Sequence, residues 1–283
     1  MSEYHIKAKA KINLSLDVVS KRENGYHNLK MIMHTVNLCD DIVLKETQSG
    51  EFTLNTNLLY LPNDERNILY KAYKLFYDEA KIKPQGFSVK LTKNIPVCAG
   101  LGGGSADAAS ELLFLNEYHN NPLSRNTLLK IGERVGADVP FCIMGGTCLA
   151  EGIGEILTPL NKLPDCSIVI LKPQNKGLST KDIFSKVNLN EIKYRPDTDG
   201  IIKALTDGDL HGVAKRMYNV LEDYSVKESP DIEEYKQSLI KEGAIGSLMS
   251  GSGNAVFGIF DNKEIAEKAI ENLKKLTNLV YLV

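Results

Sequence analysis

Between positions 6 and 18 the apolar residues Ile6, Ala8, Ala10, Ile12, Leu14, Leu16 and Val18 take every second place, with Lys7, Lys9, Lys11, Asn13, Ser15 and Asp17 between them. A period of two predicts a strand with one buried face. After a turn at Gly25, residues 31–38, 41–46 and 51–57 read as further strands in an antiparallel arrangement, joined at Cys39-Asp40 and Ser49-Gly50. Beyond Asn67 the spacing turns helical: Ile68, Leu69, Ala72, Leu75, Phe76 and Ala80 form one stripe, with Asp64 or Asn67 as its cap. Residues 87–91 return to strand, 105–118 and 126–135 to helix, and 141–150 to a strand interrupted by Gly145-Gly146. An apolar strand over 166–171 ends at Pro173, and 176–180 reads as a loop. Helices are predicted over 198–205, 210–221, 232–241 and 265–276. Segments 247–249 and 255–260 flank a glycine turn, and 280–283 forms a closing strand. Strands and helices mix without regular β-α units, which predicts an α+β protein of two lobes. Pro159 and Pro164 place the boundary between 1–160 and 161–283.

Composition narrows the class. The 283 residues suffice for one large or two medium domains. With 34 Lys+Arg against 36 Asp+Glu, no basic excess recruits a polyanion, so a nucleic-acid partner is not expected. The five cysteines, Cys39, Cys98, Cys142, Cys148 and Cys166, form no C-x-x-C pair. They read as free and mostly buried thiols of a reducing compartment. No apolar run matches a signal peptide or a membrane span, so a cytoplasmic protein without a membrane partner is expected.

The strongest chemical feature is Pro96-Val97-Cys98-Ala99-Gly100-Leu101-Gly102-Gly103-Gly104-Ser105-Ala106-Asp107. Its glycines expose backbone N–H groups and lead straight into a helix, whose first turn adds unpaired donors and a positive dipole end. Phosphate oxygens suit that seat; a flexible loop or tight helix–sheet packing is the plain alternative. The P-loop pattern fails because no Lys-Ser/Thr follows the last glycine, and Ser105 stands where the dinucleotide fingerprint needs a third glycine. A second cluster, Met249-Ser250-Gly251-Ser252-Gly253-Asn254, is either a plain turn or a backbone laid against that loop. Asp138, in the apolar stretch Gly136-Ala137-Asp138-Val139-Pro140-Phe141, is either a turn residue or a base. Lys11 is either one of several solvated lysines or the cation beside that carboxylate. Tyr26-His27, in the turn after the first strand, offers rings to a planar base or simply packs locally. Histidines and cysteines lack metal-site spacing, so no protein metal site is expected.

Taken together, Lys11-Ile12-Asn13-Leu14, the 96–107 loop and the 249–253 turn resemble the superfamily of galactokinase, homoserine kinase, mevalonate kinase and phosphomevalonate kinase. Within it, Gly25-Tyr26-His27-Asn28-Leu29, the 99–109 and 136–141 segments, Gly145-Gly146 and Glu151-Gly152-Ile153-Gly154-Glu155 resemble the branch that phosphorylates 4-diphosphocytidyl-2-C-methyl-D-erythritol. The resemblance implies an S5-like N-terminal lobe that binds ATP and a ferredoxin-like C-terminal lobe, with the substrates meeting between them. Lys11 and Asp138 become the catalytic pair. Pro96, Val97, Cys98, Ala99, Gly100, Leu101, Gly102, Gly103, Gly104, Ser105 and Ala106 would hold the triphosphate, with Asn67 and Lys93 near the base. Asn13, Tyr26, His27 and Phe184 would meet a cytidine-diphospho substrate, Phe184 supplying the second ring. ATP is implied as its Mg²⁺ complex, and the expected state is a monomer or weak homodimer. Asn254 departs from the branch, which has Pro or a small residue there; no catalytic residue is missing. A homoserine or mevalonate-type alcohol is the alternative substrate, for which Tyr26-His27 would be packing only. A non-catalytic nucleotide-binding protein would retain the loop while Lys11 and Asp138 pointed elsewhere.

Overall fold

The computed structural model describes residues 2–174 and 177–283; Lys176, in the expected loop, lies outside them. In chain order the elements are β1 (Glu3–Lys21), β2 (His27–Glu46), β3 (Phe52–Thr56), α1 (Ile68–Ala80), β4 (Phe87–Thr92), α2 (Gly103–Tyr118), α3 (Arg125–Val135) and α4 (Val139–Met144). There follow β5 (Thr147–Gly152), β6 (Ile156–Pro159), β7 (Ser167–Leu171), α5 (Thr180–Ser185), α6 (Thr198–Asp207), α7 (Leu210–Arg216) and β8 (Tyr218–Asn219). The chain closes with α8 (Glu222–Glu228), α9 (Asp231–Lys241), β9 (Gly246–Met249), β10 (Val256–Phe260), α10 (Lys263–Leu273) and β11 (Val280–Leu282). Helices and strands are mixed, an α+β composition. The chain forms two compact units that no single cut separates. One holds residues 2–10, 37–95 and 102–144, the other 11–36, 96–101 and the described part of 145–283. The proline-rich stretch near 160 therefore lies inside the second unit. The interleaving arises because β1 and β2 are long enough to contribute to both.

In the first unit the sheet order is β3-β4-β2-β1. Phe87, Val89 and Leu91 of β4 alternate inward, and their buried faces meet Leu69, Ala72 and Phe76 of α1 and Ala108, Ala109 and Leu112 of α2. Alanines on α2 let its backbone lie close, and α1, α3 and α4 all pack against it. Glu111, on the same helix, is fully buried, and among the described residues neither carboxylate oxygen has a hydrogen-bond partner. Burial, reinforced by Asp107, raises its pKa well above the usual carboxylate range. A carboxyl whose pKa rises on folding costs stability as pH climbs from its ordinary value of 4.5 towards the raised one. Glu111→Leu should therefore stabilise the fold by about 1–3 kcal/mol at alkaline pH. The gain should shrink near the ordinary carboxylate pKa, as urea unfolding at the two pH values would show. A larger gain in acid would contradict this account.

The second unit has two sheets. One runs β8-β1-β2-β5-β6 and the other β11-β7-β10-β9. In the latter every pairing is antiparallel, with Phe257 opposite both Ile170 and Leu248. Helix α9 covers β9 and β10, while α10 covers β7, β10 and β11. Asn262 caps α10 and Asp197 caps α6, each accepting from a first-turn N–H as short polar residues do at helix starts.

Several local expectations are corrected. The strand break at Cys39-Asp40 does not occur: β2 is continuous, because the buried Asp40 carboxylate is satisfied by groups around Lys93. Strand β3 pairs parallel with β4 rather than antiparallel with β2. Its Phe52 ring lies 4.7 and 4.4 Å from the Tyr70 and Tyr73 rings of α1, a contact the strand period does not reveal. The run after Asp138 begins as helix α4, with the Asp138 carbonyl accepting from Cys142 N at 3.1 Å. A six-residue apolar run carries too little period to decide, and Pro140 falls in the first turn, where no intrahelical donor is needed. The helix expected over 210–221 stops at Arg216, and Tyr218 and Asn219 pair with Ser15 and Leu16 of β1. No disulfide joins any of the five cysteines among the described residues, but only Cys148 is buried, and Cys98 is exposed.

Candidate active site

In the second unit the two glycine clusters meet. Ser250 Oγ donates to the Gly100 carbonyl at 2.8 Å, and Ala255 N donates to the Ala99 carbonyl at 3.1 Å. Gly100 has φ +79°, and a Cβ there would lie 1.9 Å from the Ser250 carbonyl oxygen; only glycine permits this approach. The 249–253 turn is itself fixed by Asn219, whose amide donates to the Met249 and Gly251 carbonyls at 2.9 and 2.8 Å. Ser225 Oγ adds a bond to the Ser252 carbonyl at 3.0 Å. Of Pro96, Val97, Cys98, Ala99, Gly100 and Leu101, the last three are thus braced. Leu101 also accepts from Lys11 N at 3.0 Å, tying the segment to β1.

The same chain enters the first unit at Gly102, the left-handed N-cap of α2, and among the described residues no side chain caps that helix. Gly103, Gly104, Ser105 and Ala106 form its first turn. A Cβ on Gly103 would lie 3.2 Å from Lys93 Nζ, whereas one on Gly104 would meet only Ile68 at 3.9 Å. Beneath this turn Lys93 Nζ donates to Asp40 and, at 2.6 Å, to Asp107 Oδ2. All three side chains are buried. One cation balances one of the two carboxylates, and burial beside Asp40 raises the Asp107 pKa, against the opposing pull of Lys93.

Lys11 is buried on the polar side of β1, and its ammonium donates to Asn13 Oδ1 at 2.7 Å. The strand period thus puts Lys11 and Asn13 on one face, and packing turns that face inward. Asp138 is half-buried in the first unit, directly before α4. Asn67 caps α1: its side chain accepts from Leu69 N at 3.1 Å and donates to the Pro62 carbonyl at 2.9 Å. In the second unit His27 and Phe184 stack with centroids 5.5 Å apart and planes 29° apart, while Tyr26 is exposed. Burial, then the nearby Lys21 cation, lowers the His27 pKa and favours the neutral ring. Asp40, Asn219 and Ser225 carry no such signal in the sequence. Asp40 looked like a turn residue, and the other two lie in a predicted helix and beyond its end.

Residues 67–146 match the GHMP kinases N terminal domain and 201–278 the GHMP kinases C terminal domain. A 4-diphosphocytidyl-2-C-methyl-D-erythritol kinase of Lachnoclostridium phytofermentans is 47% identical over 269 residues, 95% of this chain and 92% of the relative. The kinase of the same name from Clostridium novyi is 46% identical over 276 residues, 98% of either chain. A crystal structure of 4-(cytidine 5'-diphospho)-2C-methyl-D-erythritol kinase superposes with a TM-score of 0.82 at 31% identity, covering 99% of this chain and 98% of its own. A homoserine kinase from Cytophaga hutchinsonii, at 20% identity and TM-score 0.77, shares the fold. GHMP kinases are ATP-dependent phosphotransferases, and a glycine segment leading into a helix start without a side-chain cap presents backbone N–H groups that can receive an anion. This chain belongs to the GHMP kinases, in the family of 4-diphosphocytidyl-2-C-methyl-D-erythritol kinases.

Proposed function

We propose that the protein transfers the γ-phosphoryl group of ATP to the C2 hydroxyl of 4-diphosphocytidyl-2-C-methyl-D-erythritol, giving ADP and the 2-phosphate. The observation that carries this is the bracing of Ala99 and Gly100 by the 250–255 turn, immediately before the open first turn of α2. Backbone N–H groups between Val97 and Ser105, within the 96–106 segment, would bind the triphosphate oxygens, in space that a Cβ would otherwise occupy. Asn67 and Lys93 would border the base; their polar ends are already engaged, so they shape that region more than they donate to it. Among the described residues no group of three or more His, Cys, Asp or Glu is arranged to hold a metal ion. Mg²⁺ is expected as the complex with ATP, where it neutralises the triphosphate.

Asp138 is assigned to take or orient the proton of the C2 hydroxyl, whose oxygen attacks the γ-phosphorus as the bond to ADP breaks. Lys11, oriented by Asn13, is assigned to stabilise the charge on the reacting oxygens. The stacked His27 and Phe184 rings, with Tyr26 beside them in sequence, are assigned to the cytosine. A neutral imidazole can stack and still exchange hydrogen bonds. Among the described residues no helix is long and apolar enough to cross a membrane. We place the enzyme in the cytoplasm as a monomer or weak homodimer, with ATP-binding and C-terminal lobes at 1–160 and 161–283.

Binding energy from the cytidine end orients the distant hydroxyl, so its loss should lower turnover as well as affinity. In an assay of ADP release, kcat/KM for nucleotide-free methylerythritol 4-phosphate should fall at least about 10²-fold below that for the cytidine compound. Phe184→Ala should narrow that gap while leaving the KM for ATP unchanged. Equal use of both compounds by the wild type would return a homoserine- or mevalonate-type alcohol to first place.

A further inference from the structure

Asp40 touches neither glycine cluster, yet it organises the approach to one of them. Its Oδ1 accepts from the backbone N–H groups of Asn94 and Ile95 at 2.6 and 2.8 Å, the two residues just before Pro96. Its other oxygen accepts from Lys93 Nζ, which also reaches Asp107 on the second turn of α2. The Lys93 backbone is fixed as well, its N–H donating to Asn57 Oδ1 at 2.9 Å and its carbonyl accepting from Asn57 Nδ2 at 3.3 Å. The residues leading into the 96–106 segment and the helix leaving it are therefore joined side chain to side chain. A buried group of two carboxylates and one ammonium is a poor source of net stability, because desolvation offsets most of the attraction. It does impose one geometry, since each member loses its partner if another shifts.

We propose that Asp40, acting through Lys93 and Asp107, is a positioning residue for ATP: it fixes the separation between the two ends of the phosphate-binding segment. This rests on reading residues 96–106 as the triphosphate cradle. On this view Lys93 serves the nucleotide by holding the cradle in register, rather than by bonding to the base.

The test compares wild type, Asp40→Asn and the double variant Asp40→Asn/Lys93→Met, using thermal unfolding, ATP binding by calorimetry and steady-state kinetics. Asp40→Asn keeps an acceptor for the two backbone N–H groups but removes one of the two charges that hold Lys93. It should raise the Kd and KM for ATP by ~10-fold, as expected when a bound group is misplaced. The KM for the cytidine substrate should stay within ~2-fold, because that site is assigned to other residues. Should Asp40→Asn not fold, the double variant, which no longer buries an ammonium and in which burial keeps Asp107 protonated and neutral, carries the test. It should recover the wild-type melting temperature while keeping the weakened ATP binding. Recovered or lost stability with wild-type ATP affinity, or an equal rise in both KM values, would overturn the positioning role. Failure of the wild type to bind ATP would instead overturn the cradle reading on which it rests.

Discussion

Replacing Asp138 by Asn is expected to lower kcat by roughly 10²–10⁴-fold, the usual contribution of a positioned general base. The substitution is nearly isosteric and leaves the Asp138 carbonyl, which starts α4, in place. Folding and ATP affinity should therefore be retained. Single-turnover measurement of phosphorylated product separates the chemical step from product release, and calorimetry with ATP tests whether binding survives. Near-normal turnover would show that orientation and electrostatic stabilisation carry the transfer without a base, an arrangement open to phosphoryl-transfer enzymes because their transition state is loose. Lys11→Met should also lower kcat. It removes the cation while keeping a long side chain in a buried position.

The second large effect is expected from glycines that look alike in sequence and differ in space. Gly100→Ala forces a side chain into the left-handed region and into the Ser250 carbonyl, both of them backbone constraints that cannot relax cheaply. A loss of about 2–4 kcal/mol of stability is expected, with ATP binding lost alongside. Gly104→Ala meets only ordinary contact with Ile68, and Gly104 is itself exposed on the first turn of α2. In a helix that change gains up to about 1 kcal/mol, so the melting temperature should hold or rise. If phosphate oxygens approach the backbone there, the added methyl should still raise the KM for ATP by ~10-fold or more. Urea unfolding together with ATP titration of the two variants distinguishes a glycine needed by the fold from one needed by the ligand. A Gly104→Ala enzyme with unchanged ATP affinity would remove the first turn from the cradle.

Much of this protein is written in local pattern. The alternation from Ile6 to Val18 specifies β1, because a strand's two faces follow directly from period two. The stripe from Ile68 to Ala80 and the capping side chain of Asn67 likewise specify α1. The glycine runs at 100–104 and 250–253 announce close backbone approach because few other uses require so many missing side chains. They are also what makes the family resemblance visible. Tertiary structure decided the rest. Whether Ser250 faces a turn or the Gly100 carbonyl depends on contacts between distant segments, which no local period encodes. Asp40 reads as a turn residue until its carboxylate is seen to be buried with Lys93, and the continuity of β2 follows from that pairing. The parallel placement of β3 was settled by Phe52 packing on α1. The stacking of His27 on Phe184 exists only because residues far apart in the chain share one unit. Sequence alone thus singles out the segments to which the chemistry is assigned, since residue type and spacing are local. The fold determined which polar groups hold the site in shape, because burial and partnership are properties of packing.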